Sequence, residues 1–166
     1  MSDQTIIKDE IPEPFESYTG HDPYIFVSYA RLDKSFVYNT LQIFHDAKVN
    51  IWYDEGIPPS TEWVEEIAQA IKKSSLFVLF MSPQAVSSRF VRNEINYAVS
   101  LDKNILTIYL EETLLPEGLS LCLQPYQSLE VTDQDWLQKA CMAIQTQISE
   151  EEHGNLVEFK ADISGI

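Results

Sequence analysis

Four short runs of consecutive apolar, β-prone residues recur along the chain, and a stretch of helical period separates each from the next. The runs are Tyr24-Ile25-Phe26-Val27-Ser28-Tyr29, Asn50-Ile51-Trp52-Tyr53, Leu76-Phe77-Val78-Leu79-Phe80 and Ile105-Leu106-Thr107-Ile108-Tyr109-Leu110. A run without apolar–polar alternation is what a strand covered on both faces requires. Residues 127–131 form a weaker fifth. Between the first two runs, Val37, Leu41 and Phe44 follow i, i+4, i+7 spacing, with Asp33 placed to cap the helix. Val64, Ile67, Ala68 and Ile71 make a full stripe that Ser60 or Thr61 can cap, and Glu62, Glu65 and Glu66 suit its positive end. A third helix is expected over 89–101 and a fourth over 136–148, capped near Asp133. This alternation predicts an α/β domain with a parallel sheet. Right-handed crossovers then favour a doubly wound sheet that binds ligands beyond the carboxyl ends of its strands.

The chain has 166 residues, 45% of them apolar, which suits one domain with modest tails. Residues 1–22 carry six acids, one lysine and two prolines, and read as a flexible acidic leader with a docked segment around Phe15. The domain proper spans 23–149. His153-Gly154-Asn155 reads as a break, which makes 150–166 a tail or a linker toward a possible sensor domain. Twenty-six acids against eleven bases give a net charge of −15. Such a surface repels phosphate backbones and anionic lipid, so neither nucleic acid nor membrane is an expected partner. The longest apolar run, 76–81, is far too short to span a bilayer, and the amino terminus has no signal-peptide pattern. A cytoplasmic location follows as the expectation. Cys122 and Cys141 have no metal spacing, and His21, His45 and His153 are scattered, so no metal site is expected. The five glycines form neither a dinucleotide fingerprint nor a P-loop. A phosphoryl-accepting receiver would want an aspartate after the third strand, where Met81-Ser82-Pro83 stands.

One carboxylate is out of place. In the helix beginning at Arg89, the neighbours of Glu94 at i−4, i−3, i+3 and i+4 are Phe90, Val91, Tyr97 and Ala98, and none is a cation. A charge on that apolar side needs desolvation and a partner. Two readings are open: a structural carboxylate paired with a base from elsewhere, or a functional acid.

The segments Tyr24-Ile25-Phe26-Val27-Ser28-Tyr29, Ile51-Trp52-Tyr53-Asp54-Glu55-Gly56-Ile57, Leu79-Phe80-Met81-Ser82-Pro83 and Ser88-Arg89-Phe90-Val91-Arg92-Asn93-Glu94-Ile95 resemble, in order and spacing, a TIR domain. Within that superfamily they are most similar to the bacterial TIR effectors of antiviral defence. The resemblance runs from about residue 24 to 148. It implies a flavodoxin-like three-layer fold with a five-stranded parallel sheet. It also implies an NAD+ nucleosidase of innate immunity, releasing nicotinamide and ADP-ribose or a cyclic isomer. NAD+ would be substrate, and no cofactor is implied. The alternative is a non-catalytic TIR module that scaffolds a complex.

The family's catalytic glutamate falls on Glu94, although the tryptophan–cysteine pair of its motif reads Phe90-Val91 here, with Phe90 keeping an aromatic wall. Trp63 matches an aromatic that stacks on nicotinamide; it also fits a plain helix-entry packing residue. Ser28, Tyr29 and Arg31 lie where strand ends line a crevice, with Arg31 suited to pyrophosphate or simply exposed. Ser82 can meet a ribose hydroxyl or serve as turn chemistry before Pro83. The resemblance makes Asp54, Glu55, Gly56, Ile57 and Pro58 a loop for head-to-tail contact with other TIR protomers, anchored by Ile57.

Overall fold

The computed structural model describes residues 11–55 and 60–164, with side chains described as far as residue 151. Five strands form one parallel sheet: β1 (Ile25–Ser28), β2 (Ile51–Tyr53), β3 (Leu76–Met81), β4 (Ile105–Tyr109) and β5 (Gln127–Glu130). Their spatial order is β2-β1-β3-β4-β5, the flavodoxin-like arrangement. Every residue of β1, β2 and β3 is buried, as their unbroken apolar runs require. In β5 only Leu129 is buried, so its weak sequence signal belongs to an edge strand.

Among the described residues six α-helices flank the sheet: α1 (Lys34–Asp46), α2 (Thr61–Lys73), α3 (Pro83–Ser87), α4 (Arg89–Ser100), α5 (Glu117–Leu123) and α6 (Trp136–Ser164). Alternate strand residues supply the two faces. Ile25, Val27, Val78, Phe80 and Ile108 pack with Val37, Leu41 and Phe44 of α1 and with Ala140 and Ile144 of α6. Phe26, Phe77, Leu79 and Met81 pack with Ile71 of α2, Ala85 of α3, Val91 and Ile95 of α4, and Leu123 of α5. Each such side chain removed from water contributes about 1.5–3 kcal/mol, and the three-layer core rests on these terms. On the second face Phe26 stacks on its lateral neighbours Trp52 and Phe77, with centroids 5.0 and 5.3 Å apart.

α3 and α5 have no counterpart in the sequence reading, because five and seven residues are too few to display a helical stripe. Ser82 and Pro83 carry the local signal for α3: Ser82 Oγ accepts from Ala85 N at 3.1 Å, and proline sits in the first turn. Asp33 does precede α1, yet its side chain makes no cap bond and turns instead to Ser82.

Of the expected leader, residues 1–10 lie outside the described residues, and residues 11–22 form a docked strap. Tyr18 N donates to Ile51 O at 2.8 Å, Ser17 Oγ accepts from Tyr53 N at 3.0 Å, and Ser17 N donates to Glu55 Oε1 at 2.9 Å. These bonds occupy the outer edge of β2, which would otherwise present unpaired backbone groups. The Phe15 ring, expected to dock, stacks on His45 at 4.1 Å and meets Tyr53 edge-on. At the other end, the helix does not stop at His153-Gly154-Asn155, and the segment 150–166 begins inside α6. A single glycine costs a helix only about 1 kcal/mol relative to alanine, and the preceding glutamates are good helix formers.

Candidate functional site

Strand alternation points Ser28, the last residue of β1, to the same face as Phe26, where α4 lies. α4 turns Val91, Ile95 and Ala98 into the core, capped by Ser88 Oγ accepting from Val91 N. Glu94 flanks that stripe and is half-buried. Ser28 Oγ donates to Glu94 Oε1 at 2.9 Å, joining two residues sixty-six positions apart in sequence. Burial pushes the carboxyl pKa up to about 8; the Ser28 hydrogen bond opposes this, and the negative charge of Asp54 adds to it. Among the described residues no lysine or arginine is paired with Glu94; the Lys139–Asp135 salt bridge sits at the start of α6. Of the two readings open in the sequence, pairing with a distant base is not the arrangement these residues adopt.

Around this pair stand the carboxyl ends of β1, β2 and β3. Tyr29 Oη donates to the carbonyl of Asp54 and shares a 3.2 Å contact with Tyr38 Oη, and burial drives the Tyr29 pKa strongly upward. Tyr29 therefore ties the end of β1 to the root of the loop after β2. Arg31 is exposed in a short 3-10 turn, Arg31–Asp33. Ser82 is fully buried; its hydroxyl donates to Asp33 Oδ2 while accepting from Ala85 N. Both roles are internal to the fold, so the hydroxyl proposed for ribose is already engaged. Phe90 stands 54% exposed on the first turn of α4 rather than packed as a wall, because its α4 position lies off the buried stripe.

Trp63 enters α2 at the turn where Ser60 Oγ accepts its backbone N–H at 3.3 Å. Its ring stacks on Trp52 at 5.8 Å, extending the Trp52–Phe26–Phe77 row out to the helix, and its Nε1 is buried without a hydrogen-bond partner. The packing role is thus present, and one face of the indole is already covered. Asp54 and Glu55 are half-buried at the root of the loop, whereas Gly56, Ile57 and Pro58 lie outside the described residues.

Two residues important here were given other roles in the sequence. Asp33 looked like a helix cap, and Asp54 like part of a contact loop. The position of Asp54 immediately after a strand was the available signal, since strand carboxyl ends line the crevice of such sheets. Among the described residues no three His, Cys, Asp or Glu side chains gather where a metal ion could sit. None of their helices is long and apolar enough to cross a membrane. A cavity of about 480 Å³ lies at the opposite end of the sheet, lined by Leu76, Ile105, Gln127 and residues of α6, far from Glu94 along the strands.

Similar proteins agree with this architecture. The TIR domain of the Toll-related receptor TRR-2 from Hydra magnipapillata superimposes with a TM-score of 0.62 at 20% identity, covering 73% of this chain and 97% of that one. The RPS4 and RRS1 TIR domain heterodimer gives 0.58 at 10% identity, covering 76% and 98%. A diflavin flavoprotein from Nostoc gives 0.51 at 10% identity, covering 86% and 99%. At these identities the likeness concerns the fold. No curated protein sequence matches the chain. The TIR domain profile, however, matches residues 25–144, from the start of β1 into α6. On that match, which spans most of its length, the chain belongs to the TIR-domain family.

Proposed function

We propose that this TIR domain hydrolyses NAD+ at the nicotinamide–ribose bond, with Glu94 as the catalytic carboxylate. The observation that supports the reading is the Glu94 side chain, desolvated at the carboxyl ends of the strands, hydrogen-bonded to Ser28 and without a basic partner among the described residues. A half-buried carboxyl with a raised pKa in such a crevice suits chemistry better than fold stability.

One carboxylate is enough for this reaction. The nicotinamide of NAD+ is cationic and departs neutral, so no general acid has to protonate it, unlike the alkoxide of an ordinary glycoside. As the bond breaks, positive charge develops on the ribose, and an anion in a poorly solvated site stabilises it. Water then adds to the ribose carbon and loses a proton, giving ADP-ribose; attack by an internal nucleophile gives a cyclic isomer. In this reading Trp63 offers its uncovered face to the nicotinamide, and Tyr29, Arg31 and the exposed Phe90 border the entrance. In this reading another TIR protomer completes the site, and turnover depends on assembly.

The second reading, a non-catalytic interaction module, draws support from similar structures described as a receptor domain and as a heterodimer. The two separate on one assay. Concentrated protein incubated with NAD+ releases free nicotinamide if the first is right, and Glu94→Gln, which keeps the shape and removes the charge, abolishes the release. No turnover at any protein or salt concentration favours the module. Glutamine with most of the parental activity removes Glu94 from the chemistry.

A further inference from the structure

Ser28 lies 1% exposed in a strand whose other members are Ile25, Phe26 and Val27, with Leu79 of β3 beside it. An apolar side chain would be the ordinary occupant, and a buried hydroxyl is tolerated only with a partner. That partner is Oε1 of Glu94. A hydroxyl has one proton, and a carboxylate can only accept, so in the anionic state of Glu94 the Ser28 proton is committed to Oε1. Ser28 then has no donor left for a substrate hydroxyl. Ser82, which follows β3, is likewise engaged by a carboxylate, that of Asp33.

We propose that Ser28 is a positioning residue for Glu94: its hydroxyl holds Oε1, leaves Oε2 for the substrate, and favours the anionic form of the carboxyl. The inference rests on the reaction proposed above and replaces direct substrate binding by Ser28. The local electrostatics agree. The Ser28 bond lowers the proton affinity of Glu94 while desolvation and Asp54 raise it, and Asp54 is the charged group among the described residues that acts on it. Tyr29 Oη donates to the backbone carbonyl of Asp54, so the β1 end contacts both the carboxyl of Glu94 and the backbone of the residue whose charge opposes it.

The test compares the full chain with Ser28→Ala and Ser28→Thr, reading the pH dependence of kcat/KM for NAD+ and, without NAD+, the carboxyl carbon shift of Glu94 by NMR. Ser28→Ala should move both midpoints upward by about half to one pH unit. It should lower kcat on the order of tenfold with KM nearly unchanged. Ser28→Thr, which retains the hydroxyl, should restore the parental midpoints. A raised KM with unmoved midpoints would mean that Ser28 touches substrate and would overturn the proposal. If Ser28→Ala does not fold, Ser28→Cys, a weaker donor of similar size, reads the same shift. A parent chain without turnover overturns the reaction, and the ligand-free titration then decides separately: an unmoved midpoint overturns the hold of Ser28 on Glu94.

Discussion

The body of the sheet and its carboxyl-end rim are built from the same strands under opposite rules. In the body, Phe26, Phe77, Leu79 and Ile108 are fully buried and apolar, and each is satisfied by contact alone. At the rim, within one residue of those strands' ends, stand Ser28, Tyr29, Asp54 and Ser82, each joined to a residue far away in the chain. The body tolerates exchange of one apolar group for another of like volume. The rim depends on directional bonds, and it holds Glu94 in a setting that disfavours its charge. Apolar contact stabilises the first region, whereas the second holds a carboxyl whose charged form is disfavoured.

The largest effect should come from placing a charge in the body. Phe77→Asp puts a carboxylate between Phe26 and the second-face helices with no partner, and should cost more than about 4 kcal/mol, removing the cooperative thermal transition. A melting curve near the parental one would erase the distinction between body and rim.

The rim should respond in the opposite direction. With its pKa near 8 against 4.5 in the unfolded chain, Glu94 binds its proton more tightly when folded. Below about pH 4.5 both states are protonated and Glu94 exerts no effect; as the pH rises toward 8 the unfolded chain ionises first and the folded state is penalised. Glu94→Gln should therefore be more stable than the parent at pH 8.5, by no more than about 5 kcal/mol, the span from 4.5 to about 8 taken at about 1.4 kcal/mol per pH unit, and no more stable at pH 4.5. Chemical denaturation at the two pH values measures this. Equal stability at both would place Glu94 with the body, as an ordinary satisfied side chain.

Trp63 sharpens the boundary, because it belongs to both regions. Trp63→Ala removes the ring stacked on Trp52 and should lower stability by about 1–3 kcal/mol. Its exposed neighbour Val64, changed to alanine, should stay within about 0.5 kcal/mol. If both substitutions prove equally mild in denaturant titrations, the indole is a rim residue alone.

A single-bond effect is expected in the strap. Ser17→Ala removes the acceptor for Tyr53 N and should cost about 1 kcal/mol, with no change in fold by circular dichroism. A loss several times larger would make the strap part of the body.

Much of the body was readable from residue order alone. Unbroken apolar runs marked β1 to β4, and apolar spacing of helical period marked α1 and α2, because burial imposes the period of the backbone on the side chains. Glu94 stood out by the same logic, as a charge on a helix side that burial should have kept apolar. Local period says which face a residue occupies, but it does not say what waits on that face. The bond from Ser28 to Glu94, the turn of Asp33 away from its helix to Ser82, and the docking of residues 15–18 along β2 each join segments separated by dozens of residues. They exist because a parallel sheet in the order β2-β1-β3-β4-β5 brings the ends of β1, β2 and β3 together and leaves one edge of β2 open. α3 and α5 were likewise decided by tertiary packing, being too short for any period to declare them. The residue sequence thus determined the layers, the candidate acid and the charge of the surface; the proton affinity of that acid was set by the folded chain, since desolvation and through-space charge exist only once distant residues are packed around it.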